Sequence, residues 1–154
     1  MRYKINLRLA PAFKRTLTPQ LLRAAARAAL THEAAPAPSE LTMVVTDDAE
    51  LQRLNREYLG HDYATDVLSF PSEALDPETG ARYLGDIALS LPRAQAQAKA
   101  GRHSLKAEAQ LLVVHGVLHL LGHDHARPGE QARMWAAQAD ILRNLKASIT
   151  GPPM

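Results

Sequence analysis

Cysteine is absent from the 154-residue chain. That excludes disulfides, thiolate zinc sites, cysteine nucleophiles and cysteine-held iron–sulfur clusters, and it suits a reducing compartment. Aromatic residues are scarce, with one Trp, two Phe and four Tyr. Unpaired bases are commonly held on aromatic platforms, so this scarcity argues against sequence-specific recognition of nucleic acid by stacking. Long apolar runs are missing too. The longest strongly apolar stretch, residues 111–121, carries two histidines and falls well short of the roughly 20 residues that a bilayer-spanning helix requires. No membrane span is expected. The opening residues 1–9 interleave charged and apolar side chains rather than forming an apolar block before a small-residue cleavage site, so the chain is expected to be cytoplasmic.

What is present is the balance of one folded domain: 46% hydrophobic, 22% charged, formal net charge +2. Thirteen of the 18 basic residues are arginine, a weak pointer to an anionic partner. Residues 2–9 alternate polar and apolar side chains and predict a half-buried strand. Thr18-Pro19 starts a helix running to about His32, and a proline-rich connection leads to a second strand at Leu41–Val45. Asp47 and Glu50 form a capping-box pair for a helix through about Leu59, stopped by Gly60. Asp66–Phe70 and Gly85–Ser90 read as antiparallel strands joined by a turn-rich loop.

The second half reads as helical. An alanine-rich helix spans Ser90–Ala100 and stops at Gly101; the longest helix spans Ser104–Leu121, with its latter half in the core. A last amphipathic helix follows Arg127-Pro-Gly129 and runs to about Ala147. The expected fold class is therefore α+β: a single domain over 1–148, a mixed sheet of about four strands, about five helices, and a frayed tail over 149–154.

Four of the seven histidines lie within residues 115–125. His115 and His119, four apart on a helix, share one face, a spacing that lets both imidazoles reach one ion. His123 on a continued helix would extend a line too long for three nitrogens each about 2.1 Å from one zinc. Gly122 can end the helix in a left-handed conformation, which allows His125 to fold back over the open side. The candidate ligands are therefore His115, His119 and His125, with His123 outside the set. Three neutral imidazoles leave a zinc ion its full charge and an open position, the description of a catalytic site. Asp124 either orients a ligand histidine or serves as a turn aspartate.

The frame His-x-x-x-His-x-x-Gly-x-x-His matches metzincin proteases, but Gly116 stands where their glutamate base would be, and Met134 reads as core rather than as a methionine turn. Gly116 instead suits close packing or access to the metal.

The chain resembles the YbeY family of bacterial metal-dependent endoribonucleases in three segments: His115-Gly-Val-Leu-His-Leu-Leu-Gly-His-Asp-His125, Leu54-Asn55 with Thr65-Asp-Val-Leu-Ser-Phe-Pro71, and Leu84-Gly-Asp-Ile87. The resemblance covers essentially the whole chain. It implies a cytoplasmic zinc enzyme cutting single-stranded RNA in 16S ribosomal RNA 3′-end maturation and ribosome quality control, one zinc per chain on the three histidines, and ribosomal or small-subunit protein partners, with no DNA expected. The family's arginine after the tyrosine is Leu59 here, within Tyr58-Leu-Gly-His-Asp62. Arg56 or His61 could supply that charge and are carried as candidate catalytic residues. Asp66, Ser69 and Asp86 are polar strand residues expected to border the cleft. The alternatives are a metallohydrolase of another substrate class, and a ribosome-associated protein whose zinc only stiffens the fold.

Overall fold

Strands β1 (Tyr3–Leu9), β2 (Ser39–Thr46), β3 (Val67–Pro71) and β4 (Arg82–Ser90) form one sheet in the order β1-β2-β4-β3. The computed structural model describes residues 3–147, so the expected tail at 149–154 lies outside the described residues. β1, β2 and β4 run parallel, and β3 pairs antiparallel with β4, as the turn-rich connection predicts. Helices α1 (Pro19–His32), α2 (Asp48–Leu54), α3 (Leu91–Gly101), α4 (Leu105–Leu120) and α5 (Pro128–Asn144) complete a mixed-sheet α+β domain.

The strands keep the two-residue period of their sequences. On β2, Leu41, Met43 and Val45 are buried, while Glu40, Thr42 and Val44 between them are half-exposed on the opposite face. Only one face is thickly covered by helices. α4 lies at the centre of that layer, in contact with α1, α3, α5, β3 and β4. Val113, Val114, Val117 and Leu118 are fully buried, each worth about 1.5–3 kcal/mol of transfer free energy. Met134 on α5 joins the same core, as its helical pattern indicates.

The structure differs locally from the sequence reading at four points. Asp47 caps α2 by accepting the Glu50 N–H at 2.9 Å, but the Glu50 carboxylate turns to Arg53, so half of the capping box forms. The helix then continues to Leu59 in a wider π-helical winding over Asn55–Leu59, where Gly60 at φ 75° ends it. Gly101 is the last residue of α3 and Arg102 takes the left-handed cap at φ 59°; the glycine serves packing instead, since a Cβ at Gly101 would lie 2.6 Å from the His103 ring. At 17 residues, α5 exceeds α4 by one.

Candidate metal centre and its cleft

The C-terminal end of α4 builds the site. His115 and His119 stand one turn apart on α4, with ring centroids 4.7 Å apart and their Nε2 atoms separated by 3.1 Å. After Leu121 the chain reverses at Gly122, whose φ of 99° favours glycine. The Gly122 N–H donates to His119 O at 3.1 Å and the His123 N–H to Leu118 O at 2.9 Å, the two bonds of a Schellman ending. The Asp124 carboxylate then accepts the His125 N–H at 2.7 Å, so Asp124 acts as a turn aspartate that shapes the segment carrying His125.

The reversal sets the His125 ring 5.6 Å from His115 and 5.2 Å from His119, centroid to centroid. One nitrogen from each of the three rings lies within 4.8 Å of the other two. Nitrogens bound to one tetrahedral zinc lie about 3.4 Å apart, so the His115–His119 pair at 3.1 Å is already near that spacing and a rotation of the exposed His125 side chain by about an ångström or more would complete the set. The donor set fits.

Burial favours the neutral form of two of the three rings. Burial lowers the His115 pKa, His125 lowers it further, and the Gln138 hydrogen bond and Asp66 oppose them. Burial also pushes His119 down, to about 4, with His115 and His125 adding to the effect. His115 Nδ1 lies 2.9 Å from Gln138 Oε1 on α5; an amide oxygen only accepts, so Nδ1 carries the proton and Nε2 keeps its lone pair for a metal. Gln138 was not singled out from the sequence. Its signal was a glutamine inside the apolar stripe of Met134, Ala137, Ile141 and Leu142.

The three histidines line a cleft of about 450 Å³ with Thr65, Asp66, Val67, Leu68, Ser69, Pro71, Leu111 and Leu112. Asp66 is the one carboxylate in that lining, held by the Val67 N–H at 2.8 Å and the Gln97 amide at 3.3 Å. The Ser69 hydroxyl donates to Gly116 O at 3.0 Å, locking β3 against α4. Gly116 serves packing here: a Cβ would meet Ile87 Cγ2 at 2.9 Å.

Asp86 does not border this cleft, contrary to the expectation from sequence. Gly85 and Ile87 on either side of it approach α4, so the pleat sends Asp86 to the opposite face, where the Tyr83 hydroxyl donates to it. Arg56 and His61 are also absent from the cleft lining. Arg56 lies 3.7 Å from Asp62, and His61 packs against Tyr63, on the exposed segment that leads from the π-helical turn into β3. The buried Asn55 pins that segment by donating to Tyr63 O at 3.0 Å. His123 pairs with Glu33 and stands outside the three-ring group.

A family model described as Endoribonuclease YbeY matches residues 10–146. The chain belongs to the YbeY family. Among its YbeY relatives, Endoribonuclease YbeY of Roseiflexus sp. (strain RS-1) is 44% identical over 151 residues, covering 94% of each chain. That of Halalkalibacterium halodurans is 43% identical over 135 residues, 82% of this chain and 83% of the relative. The solution structure of TM1509 from Thermotoga maritima superposes with a TM-score of 0.61 at 21% identity, covering 92% of this chain and 88% of that one, which supports the fold. No helix among the described residues of this YbeY family member is long and apolar enough to cross a membrane.

Proposed function

We propose that this chain is a zinc-dependent endoribonuclease specific for single-stranded RNA, with one Zn²⁺ held by His115, His119 and His125. The observation that carries the reading is the convergence of three imidazole nitrogens within 4.8 Å on the wall of an open cleft. The curated relatives share the name Endoribonuclease YbeY, which supports RNA as the substrate.

Bound zinc would supply a Lewis acid that lowers the pKa of a bound water to about 7 and offsets charge developing on a phosphoryl oxygen. The protein's own groups do the rest. Gln138 fixes the His115 tautomer, and the depressed pKa of His119 keeps that ring neutral at working pH. Leu68, Leu111 and Leu112 give the cleft an apolar wall that limits water around the reacting phosphate. Asp66, the carboxylate in the cleft lining, would accept a proton from the attacking hydroxyl or water. Arg56 and His61 stand on the segment entering β3, where they would screen flanking phosphates and take over the charge that Leu59 lacks.

In this reading the enzyme works in the cytoplasm on 16S ribosomal RNA 3′ ends and in ribosome quality control, guided by small-subunit proteins. The histidine frame lacks a glutamate base at Gly116, which disfavours peptidase chemistry.

The test is cleavage of a 5′-labelled single-stranded RNA before chelation, after chelation and after zinc is restored. Cutting that stops and returns with zinc, and spares a duplex of the same sequence, is the expected result. Cutting indifferent to chelation would refute the zinc reading. Product ends then identify the nucleophile: a 2′,3′-cyclic phosphate marks attack by the ribose hydroxyl, and cleavage at a 2′-deoxy position marks attack by water.

A further inference from the structure

The face of the sheet opposite α4, covered among the described residues only by α2 and the π-helical turn that continues it, carries a second groove, of about 500 Å³, whose lining includes Arg8, Thr42, Tyr58, Phe70, Tyr83 and Asp86. Edge strand β3 separates it from the histidine cleft. Ser69 lines the cleft and the next residue, Phe70, lines the groove, so the two sites are one strand apart around a free sheet edge.

The lining combines aromatic rings, an apolar floor and a few polar and charged groups. The aromatics are few along the chain, yet three of the seven meet here. Tyr58 is 67% exposed at the groove, its ring centroid 5.8 Å from that of Phe70 at 68°. A large ring held this open offers area that a stacked base would cover. Below it runs a polar array: the Tyr83 hydroxyl donates to Asp86 Oδ1 and lies 2.7 Å from Thr42 Oγ1. Asp86 Oδ2 has no hydrogen-bond partner among the described residues. A carboxylate only accepts, so it selects a base edge rich in donors. Guanine presents N1–H and N2–H side by side, whereas uracil presents one N–H between two carbonyls that a carboxylate repels. Exposed Arg8, which has no ion-pair partner among the described residues, supplies the charge complementary to a phosphate.

We propose that this groove is a nucleobase subsite that takes an unpaired guanine of single-stranded RNA, from a strand passing around β3 to the histidine cleft. The proposal rests on the endoribonuclease reading and adds to it a site of base preference.

The test is binding of labelled heptanucleotides, all uridine or with a central guanosine, measured by fluorescence anisotropy in a His119→Ala background that prevents cutting. Binding about 10-fold tighter to the guanosine strand is expected. Tyr58→Ala should weaken binding of that strand about 10-fold. Asp86→Asn should abolish the preference while binding of the all-uridine strand persists, and Leu75→Ala, on an exposed loop, serves as the surface control. Far-ultraviolet circular dichroism verifies that each variant is folded. If the background protein binds RNA and neither groove variant changes it, the subsite is refuted and the groove is left to a protein partner. If neither the background protein nor the zinc-loaded parent, tested on 2′-deoxy and on ribose strands, binds or cuts RNA, the endoribonuclease reading fails together with the subsite.

Discussion

Glu33 and His123, 90 residues apart in the chain, meet with Glu33 Oε1 2.5 Å from His123 Nε2. The contact ties the C-cap of α1 to the four-residue turn that brings His125 over the other two histidines. Burial pushes the Glu33 carboxyl up, but hydrogen bonds from His123 and His32, with the charges of both rings, hold it below the usual carboxylate value. Glu33→Ala should therefore loosen the third ligand and weaken zinc binding about 10-fold. A competition titration against a chromogenic chelator measures this, and unchanged affinity would show that the turn holds itself.

Gln138 should matter more to zinc than to folding. Its Oε1 receives the His115 Nδ1–H, while its Nε2 is buried without a hydrogen-bond partner. Gln138→Leu removes both the orienting oxygen and the orphaned donor. Zinc affinity is expected to fall about 10- to 100-fold, with stability in denaturant changed by less than about 1 kcal/mol. A large loss of stability with intact zinc affinity would reverse that assignment.

Gly116→Ala sets two effects against each other. Alanine gains about 1 kcal/mol of helix propensity, whereas a methyl 2.9 Å from Ile87 Cγ2 overpacks the α4–β4 contact, at a cost of about 1–3 kcal/mol. Net destabilisation of about 1 kcal/mol is expected from urea unfolding. Ile87→Ala removes the clashing methyl, so the double variant should be more stable than the sum of the single losses implies.

The pH dependence of the zinc-free protein follows from His119. Its pKa falls from 6.5 to about 4 on folding, so between those values the unfolded chain binds more protons than the native one. This contribution to stability is complete above 6.5 and is lost as the pH falls toward 4. Thermal melts of chelator-treated protein across that window should show the decline, and His119→Ala should flatten part of it. A melting temperature independent of pH in both proteins would contradict the burial of this ring.

Much of this was legible in the sequence because local rules dominate. The polar–apolar alternation of β1, the cap at Asp47, the buried half of α4 and the chain reversal at Gly122 each follow from a few adjacent residues. Convergence of His115, His119 and His125 was legible for the same reason, since one helix turn and one reversal decide it. What depended on distant packing was not. Nothing local tells that Asp86 faces away from the cleft, because that hinges on which sheet face α4 covers. Nor could the partnership of Gln138 with His115 or of Glu33 with His123 be read along the chain, as each joins elements that meet only after folding. The partnership of the buried Asn55 with the Tyr63 carbonyl, eight residues on, is likewise not marked by any local signal.

The most direct test of the central claim is zinc content and cleavage of end-labelled single-stranded RNA, measured on the parent and on His119→Ala purified in parallel. The account predicts about one zinc per parent chain, cutting by the parent, and loss of both zinc and cutting in the variant. Equal cutting by the two proteins, or a zinc-loaded parent that cuts nothing, would contradict it.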